Sequence, residues 1–87
     1  MSDTEIFDFP CAFPIKVMGR QSDEFASLVT ELVERHVDDL APDAVSVRES
    51  SKGAYLAVTV TVTARSREQL DNIYRELTGH ELILMVL

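Results

Sequence analysis

The side chains of this chain with the strongest intrinsic chemistry are Cys11, His36 and His80, and their placement works against what they offer. A carrier of soft metal ions needs closely spaced thiolates, and Cys11 is the one cysteine. His36 and His80 fall on different elements without ligand-like spacing. His36 also continues an apolar run at helical period, which suits a histidine at the margin of a core. No metal or cofactor is expected. Gly19-Arg20-Gln21, just ahead of a helical segment, offers the outline of a backbone anion cradle, because helix starts attract anions. An acylphosphatase-like hydrolase using that cradle would also need an asparagine to orient water, and the only asparagine, Asn72, falls in the second helical segment. A tight turn carrying a solvated arginine is the simpler account of the tripeptide. No serine–histidine–acid or cysteine–histidine set has local support, so a chain without catalysis is expected and the hydrolase stays a remote alternative.

Lys52-Gly53-Ala54-Tyr55 opens a strand with a basic–glycine–aromatic order that RNA-recognition sheets use. Those sheets stack bases on aromatics at positions that are Ala54 and Leu56 here. The net charge of −7, from 15 acidic and 8 basic residues, also repels phosphate backbones. Nucleic acid is not an expected partner. The acidic side chains are scattered over helix faces and the N-terminal arm, the distribution of a solubilising surface rather than of paired catalytic carboxylates.

The elements that would position any site follow from periodicity. Residues 1–11, with Ile6, Phe7, Phe9 and Pro10 among acidic residues, form an arm ahead of a single domain over residues 12–87. Phe13, Ile15 and Val17 alternate with Pro14, Lys16 and Met18, the period of a half-buried strand ending at Gly19. Ser22 and Asp23 suit a helix start. Phe25, Leu28, Val29, Leu32, Val33 and His36 then form an apolar stripe reaching to about Asp39. Val45 and Val47 begin a hairpin that turns at Ser50-Ser51-Lys52-Gly53. Its second strand places Leu56, Val58, Val60, Val62 and Ala64 on one face and Tyr55, Ala57, Thr59, Thr61 and Thr63 on the other. Ser66 with Gln69 forms a capping box, Leu70, Ile73, Tyr74 and Leu77 a second stripe, and Gly79 a left-handed helix end. Leu82 to Leu87 make a last strand.

With 87 residues and 46% apolar composition, one core is within reach. The order strand–helix–strand–strand–helix–strand buries both stripes only if the helices share one face of the sheet. The expected fold is α+β, a ferredoxin-like βαββαβ sandwich with a four-stranded antiparallel sheet in order 4-1-3-2. The last strand is apolar on both sides, Leu82, Leu84 and Val86 alternating with Ile83, Met85 and Leu87, as in strands covered on both faces. The arm or a second copy of the chain would supply that cover. No run approaches the length of a membrane span, no secretory signal is visible, and the single thiol fits a reducing compartment, so a cytoplasmic location is expected.

Phe9-Pro10, Phe13, Lys16-Val17-Met18-Gly19, Phe25, Val29, His36, Ser50-Ser51-Lys52-Gly53, Tyr55, Val58-Thr59, Gln69, Tyr74, Leu77 and Val86-Leu87 together resemble the YbeD-like family of small bacterial proteins of unknown function. Ala57 stands where that family carries a serine, and the acidic arm has no counterpart. The resemblance implies a fold similar to ACT-type regulatory domains and a regulatory or protein-interaction module. It places a ligand or partner site at Lys16, Met18, Gly19, Ser51, Lys52, Gly53 and Tyr55. The apolar edge adds an interface at Leu82, Leu84, Met85 and Val86, because an open edge invites strand addition. The expected partner is another cytosolic protein or a second copy of the chain as a homodimer. A small metabolite sensed by an ACT-like dimer is the alternative.

Overall fold

The computed structural model describes residues 9–87. Its elements are β1 (Cys11–Arg20), α1 (Phe25–Glu34), β2 (Val45–Glu49), β3 (Tyr55–Ala64), α2 (Arg67–Thr78) and β4 (Ile83–Val86). The sheet is antiparallel with order β2-β3-β1-β4, the expected topology. β1 and β3 pair along their whole length, from Cys11 opposite Ala64 to Arg20 opposite Tyr55. Cys11 is therefore already a strand residue, ahead of the start read from the alternation.

The side of this ladder that faces the helices holds Ile15 and Val17 from β1 and Leu56, Val58, Val60, Val62 and Ala64 from β3, all buried. Phe25, Val29, Leu32 and Val33 of α1 and Leu70, Ile73 and Leu77 of α2 close over them. Each fully buried Val, Leu or Ile contributes about 1.5–3 kcal/mol, so this one-sided core is the main stabilising term. Phe9 packs against the same core. The remainder of the arm, including Phe7, which was read as a cover for the last strand, lies outside the described residues.

Several local readings are corrected. α1 ends at Glu34, not near Asp39; His36 and the buried Val37 continue the apolar stripe from a turn beyond the helix. Neither Ser22 nor Asp23 caps it: the N-cap is Glu24, without a side-chain hydrogen bond. Gly79 has φ −84°, in the right-handed region, so its place at the helix end needs no left-handed backbone. Gly19 lies in β1 rather than in a turn, and an added Cβ there would stand 2.3 Å from Phe25 Cε1 and 2.9 Å from the Leu82 carbonyl oxygen. The glycine is the seat of the Phe25 ring. In β4 the register slips between Met18 and Gly19: Met85 is opposite Met18, but Ile83 is opposite Gly19. Leu84 is the extra residue of a bulge. Ile83 and Val86 therefore share the helix-facing side, which the simple alternation had separated.

The cap read at the start of α2 forms, with the return bond one residue ahead of the N-cap Ser66. Ser66 Oγ accepts from the Gln69 backbone N–H (3.1 Å) while Gln69 Oε1 accepts from the Arg65 backbone N–H (2.7 Å). The same amide donates through Nε2 to the His36 carbonyl (2.8 Å), tying the start of α2 to the end of α1. Glu76 accepts from His36 Nε2 (2.6 Å) and pairs with Arg35, and Arg65 pairs with Asp39. The His36 hydrogen bond, followed by Arg35, holds the Glu76 carboxyl below its ordinary value of 4.5.

Gly19→Ala is expected to destabilise the fold by about 1–3 kcal/mol through overpacking against Phe25, and Gly79→Ala by no more than about 0.5–1 kcal/mol. Urea unfolding of both variants checks this, and equal losses would remove the ring contact as the reason for Gly19. A carboxyl with a depressed folded-state pKa stabilises above its unfolded pKa and loses that contribution as pH falls through the folded value. Wild type should therefore melt above Glu76→Gln at neutral pH, with the gap closing in acid as the pH falls below the ordinary glutamate range. A gap that persists in acid would sever the link between Glu76 ionisation and helix docking.

Candidate functional site

One-sided burial leaves the other side of the sheet without helices. The pairing register fixes what stands there. One row across the strands is Ser46, Thr59 and Lys16, with Leu87 hydrogen-bonded on both sides to the Lys16 backbone (3.1 and 2.8 Å). The next row is Arg48, Ala57, Met18 and Met85. Tyr55 stands opposite Arg20 at one end, and Thr61, Thr63, Pro14 and Ala12 continue the face toward the other. Met85 is 50% exposed and Tyr55 39%.

Short side chains between long ones shape this surface. Ala57 and Thr59 form a floor, with Lys16 and Met18 on one side and Ser46 and Arg48 on the other, and the depression is lined by Lys16, Ser46, Arg48, Ala57 and Thr59. It continues past Met18 to Tyr55 and Ser50. No Asp or Glu occupies an outward strand position in any of the four strands. Glu49 reaches the margin of the depression, where its Oε2 accepts from Gln21 Nε2 (3.3 Å). Among the described residues the ion pairs are Arg35–Glu76, His36–Glu76 and Arg65–Asp39, so Lys16 and Arg48 carry unpaired charge.

Of the residues read as a site, the structure brings together Lys16, Met18 and Tyr55. Gly19 faces the helices under Phe25 and takes no part in the outer surface. Ser51, Lys52 and Gly53 form the hairpin tip beyond the depression. There Gly53 adopts φ +72° and donates its N–H to the Ser50 carbonyl (2.9 Å), a turn requirement that explains the glycine. The edge residues Leu82, Leu84 and Met85 are exposed, but Val86 is half-buried and packs on the core. Arg48 and Ala57 complete the depression and were not read as site residues. Counting the hairpin register back from Gly53 places Arg48 opposite Ala57 and would have found both.

A second concavity lies between the helices, lined by Leu28, Glu31, Arg35, Arg75, Glu76 and His80. Apart from Glu31, its polar groups are engaged: Arg35 with Glu76, Arg75 Nη1 with Asn72 Oδ1 (2.9 Å), and His80 Nδ1 accepting from the Leu82 backbone (3.2 Å). Among the described residues no cluster of His, Cys, Asp or Glu has the makings of a metal site. No helix of the described residues is long and apolar enough to cross a membrane.

Residues 4–87 match the model of a family described as "Protein of unknown function (DUF493)". A UPF0250 protein of Chromobacterium violaceum is 57% identical over 89 residues, covering 100% of both chains. A UPF0250 protein of Neisseria gonorrhoeae is 49% identical, covering 97% of this chain and 92% of its own. Among solved structures, protein HP0495 from H. pylori superposes with a TM-score of 0.78 at 15% identity, over 99% of this chain and 90% of that one. The ACT domain from GTP pyrophosphokinase of Chlorobium tepidum gives 0.65 at 10% identity, over 87% and 81%. Both likenesses show the fold, the ACT-like arrangement read from the sequence.

Proposed function

The chain belongs to the DUF493 (UPF0250, YbeD-like) family of small bacterial proteins, and we propose that it is a non-catalytic protein-docking module whose working surface is the outer face of the sheet. The observation that carries this reading is the bare outer row Arg48–Ala57–Met18–Met85, where apolar and cationic side chains reach solvent with no element of the described chain over them. Amphipathic side chains around a dent are what an interface core requires, with Met, Tyr and Arg the residue types enriched there.

The shape of the surface favours a macromolecular partner over the metabolite-sensing alternative. Small-molecule sites bury most of their ligand in a concavity, whereas the depression beside Lys16 and Arg48 is open along the sheet and floored by Ala57 and Thr59. A metabolite would need a second surface to close over it. The partner is taken to be a cytosolic protein, in keeping with the reading of the sequence.

Ala57→Arg would fill the dent from an outward position without entering the core. The expected result is that proteins cross-linked to the wild-type chain in its native lysate are lost from this variant while its melting temperature stays within a few degrees. The same partners captured by a folded Ala57→Arg chain would remove the outer face from consideration. Turnover of an acyl phosphate or phosphate ester by the purified protein, abolished by Arg20→Ala, would overturn the non-catalytic half of the proposal.

A further inference from the structure

The chain carries 15 acidic and 8 basic residues, yet its charge is not evenly spread. From Asp23 onward every Asp and Glu side chain sits on a helix, in a loop or, as Glu49 does, at a helix-facing strand position. The outward strand positions hold Lys16, Arg48 and Arg20 and no acid. Lys16 and Arg48 flank one depression, and both are free of ion pairs among the described residues. On one side they adjoin the threonine and serine positions, on the other Met18, Met85 and Leu87.

Resting on the docking reading above, we infer that this face takes an acidic segment of another protein in which carboxylates alternate with apolar side chains. The carboxylates would pair with Lys16 and Arg48 over the Ala57 floor, and the apolar residues would lie on Met18 and Met85. Charge complementarity selects this occupant: a basic segment would meet unpaired cations, and a second copy presenting the same face would set Lys16 and Arg48 against their own kind. A nucleic acid strand also carries negative charge, but a continuous polyanion meets the repulsion of a chain with net charge −7 and gains only a few cations on this face. Tyr55 is moreover the one aromatic on the outward strand positions on which a base could stack.

The probes are synthetic peptides of about 12 residues, long enough to cross the sheet, alternating Glu with Leu or Gln with Leu, and oligouridine of about the same length. Binding to the isotope-labelled full chain is read by amide chemical shifts and by fluorescence anisotropy. The Glu–Leu peptide is expected to move the amides of Lys16, Met18, Arg48, Ala57 and Thr59 and to bind about tenfold or more tightly than the Gln–Leu peptide. Lys16→Glu with Arg48→Glu should abolish that preference, and Arg67→Glu, an exposed charge on α2, should leave it intact. Equal binding of the two peptides at the outer face, or indifference to the double charge reversal, overturns the acidic partner while the docking surface stands. Shifts confined to the groove between α1 and α2, or no binding of either peptide, remove the docking surface as well. Tighter binding of oligouridine than of the Glu–Leu peptide overturns the protein partner in favour of nucleic acid.

Discussion

The constraint on which the rest depends is the one-sided burial of the β1–β3 ladder. Val58, Val60 and Val17 are fully buried on one side of it, and Ala57, Thr59 and Lys16 stand on the other. Because strand side chains alternate strictly, a shift of one residue in this pairing would put lysine into the core and valine into water. Both helices must therefore lie on the valine side, and the opposite side is left to whatever the intervening positions encode. The proposed docking face is the complement of the core, written in the same two strands.

Two contacts translate that constraint into fixed positions. Phe25 lies on Gly19, where no other residue leaves room for its ring, and this sets how closely α1 approaches β1 and the start of β4. At the far end of the helix pair, Gln69 serves its own cap and the His36 carbonyl, while Glu76 gathers His36 and Arg35. The polar groups of the helix junction are used internally. That is why the groove between the helices, though the larger hollow, offers less free chemistry than the shallow dent on the sheet.

What was legible in the sequence follows from pattern strength. The valines of β3 alternate with threonines over ten residues, so their face could not be mistaken. The topology, the hairpin turn at Gly53 and the Ser66–Gln69 cap were legible for the same reason, since each is a local pattern with a local cause. The bulge at Leu84 was not, because residues 82–87 are apolar at every position and alternation carries no information where both phases are hydrophobic. Gly19 was misread as punctuation because a glycine followed by Arg-Gln-Ser-Asp looks like a turn. The ring that demands it lies six residues further on, across a tertiary contact. The end of α1 was overextended because Val37 remains buried after the chain has left the helix, so the apolar stripe outlasts the hydrogen-bonding pattern. Arg48 was placed on the outer face but not read as a site residue, because its importance lies in its neighbours across the sheet, which periodicity along one strand does not reveal.

The division of labour on the outer face follows from its exposure. Lys16 and Arg48 are solvated, and an exposed ion pair is worth only about 0–1 kcal/mol after side-chain entropy and screening. Two such pairs therefore suffice for roughly tenfold discrimination between carboxylate and amide, and they decide which segments approach and in which orientation, but they do not supply the bulk of the affinity. Affinity has to come from apolar area, which Met18, Met85 and Leu87 provide on the β1–β4 half, and from the fit of a side chain over Ala57. A serine at position 57 would keep the floor low but add a polar group that any apolar occupant must desolvate. Alanine leaves the dent apolar between two cations, a surface suited to a side chain whose stem is hydrocarbon and whose tip is a carboxylate.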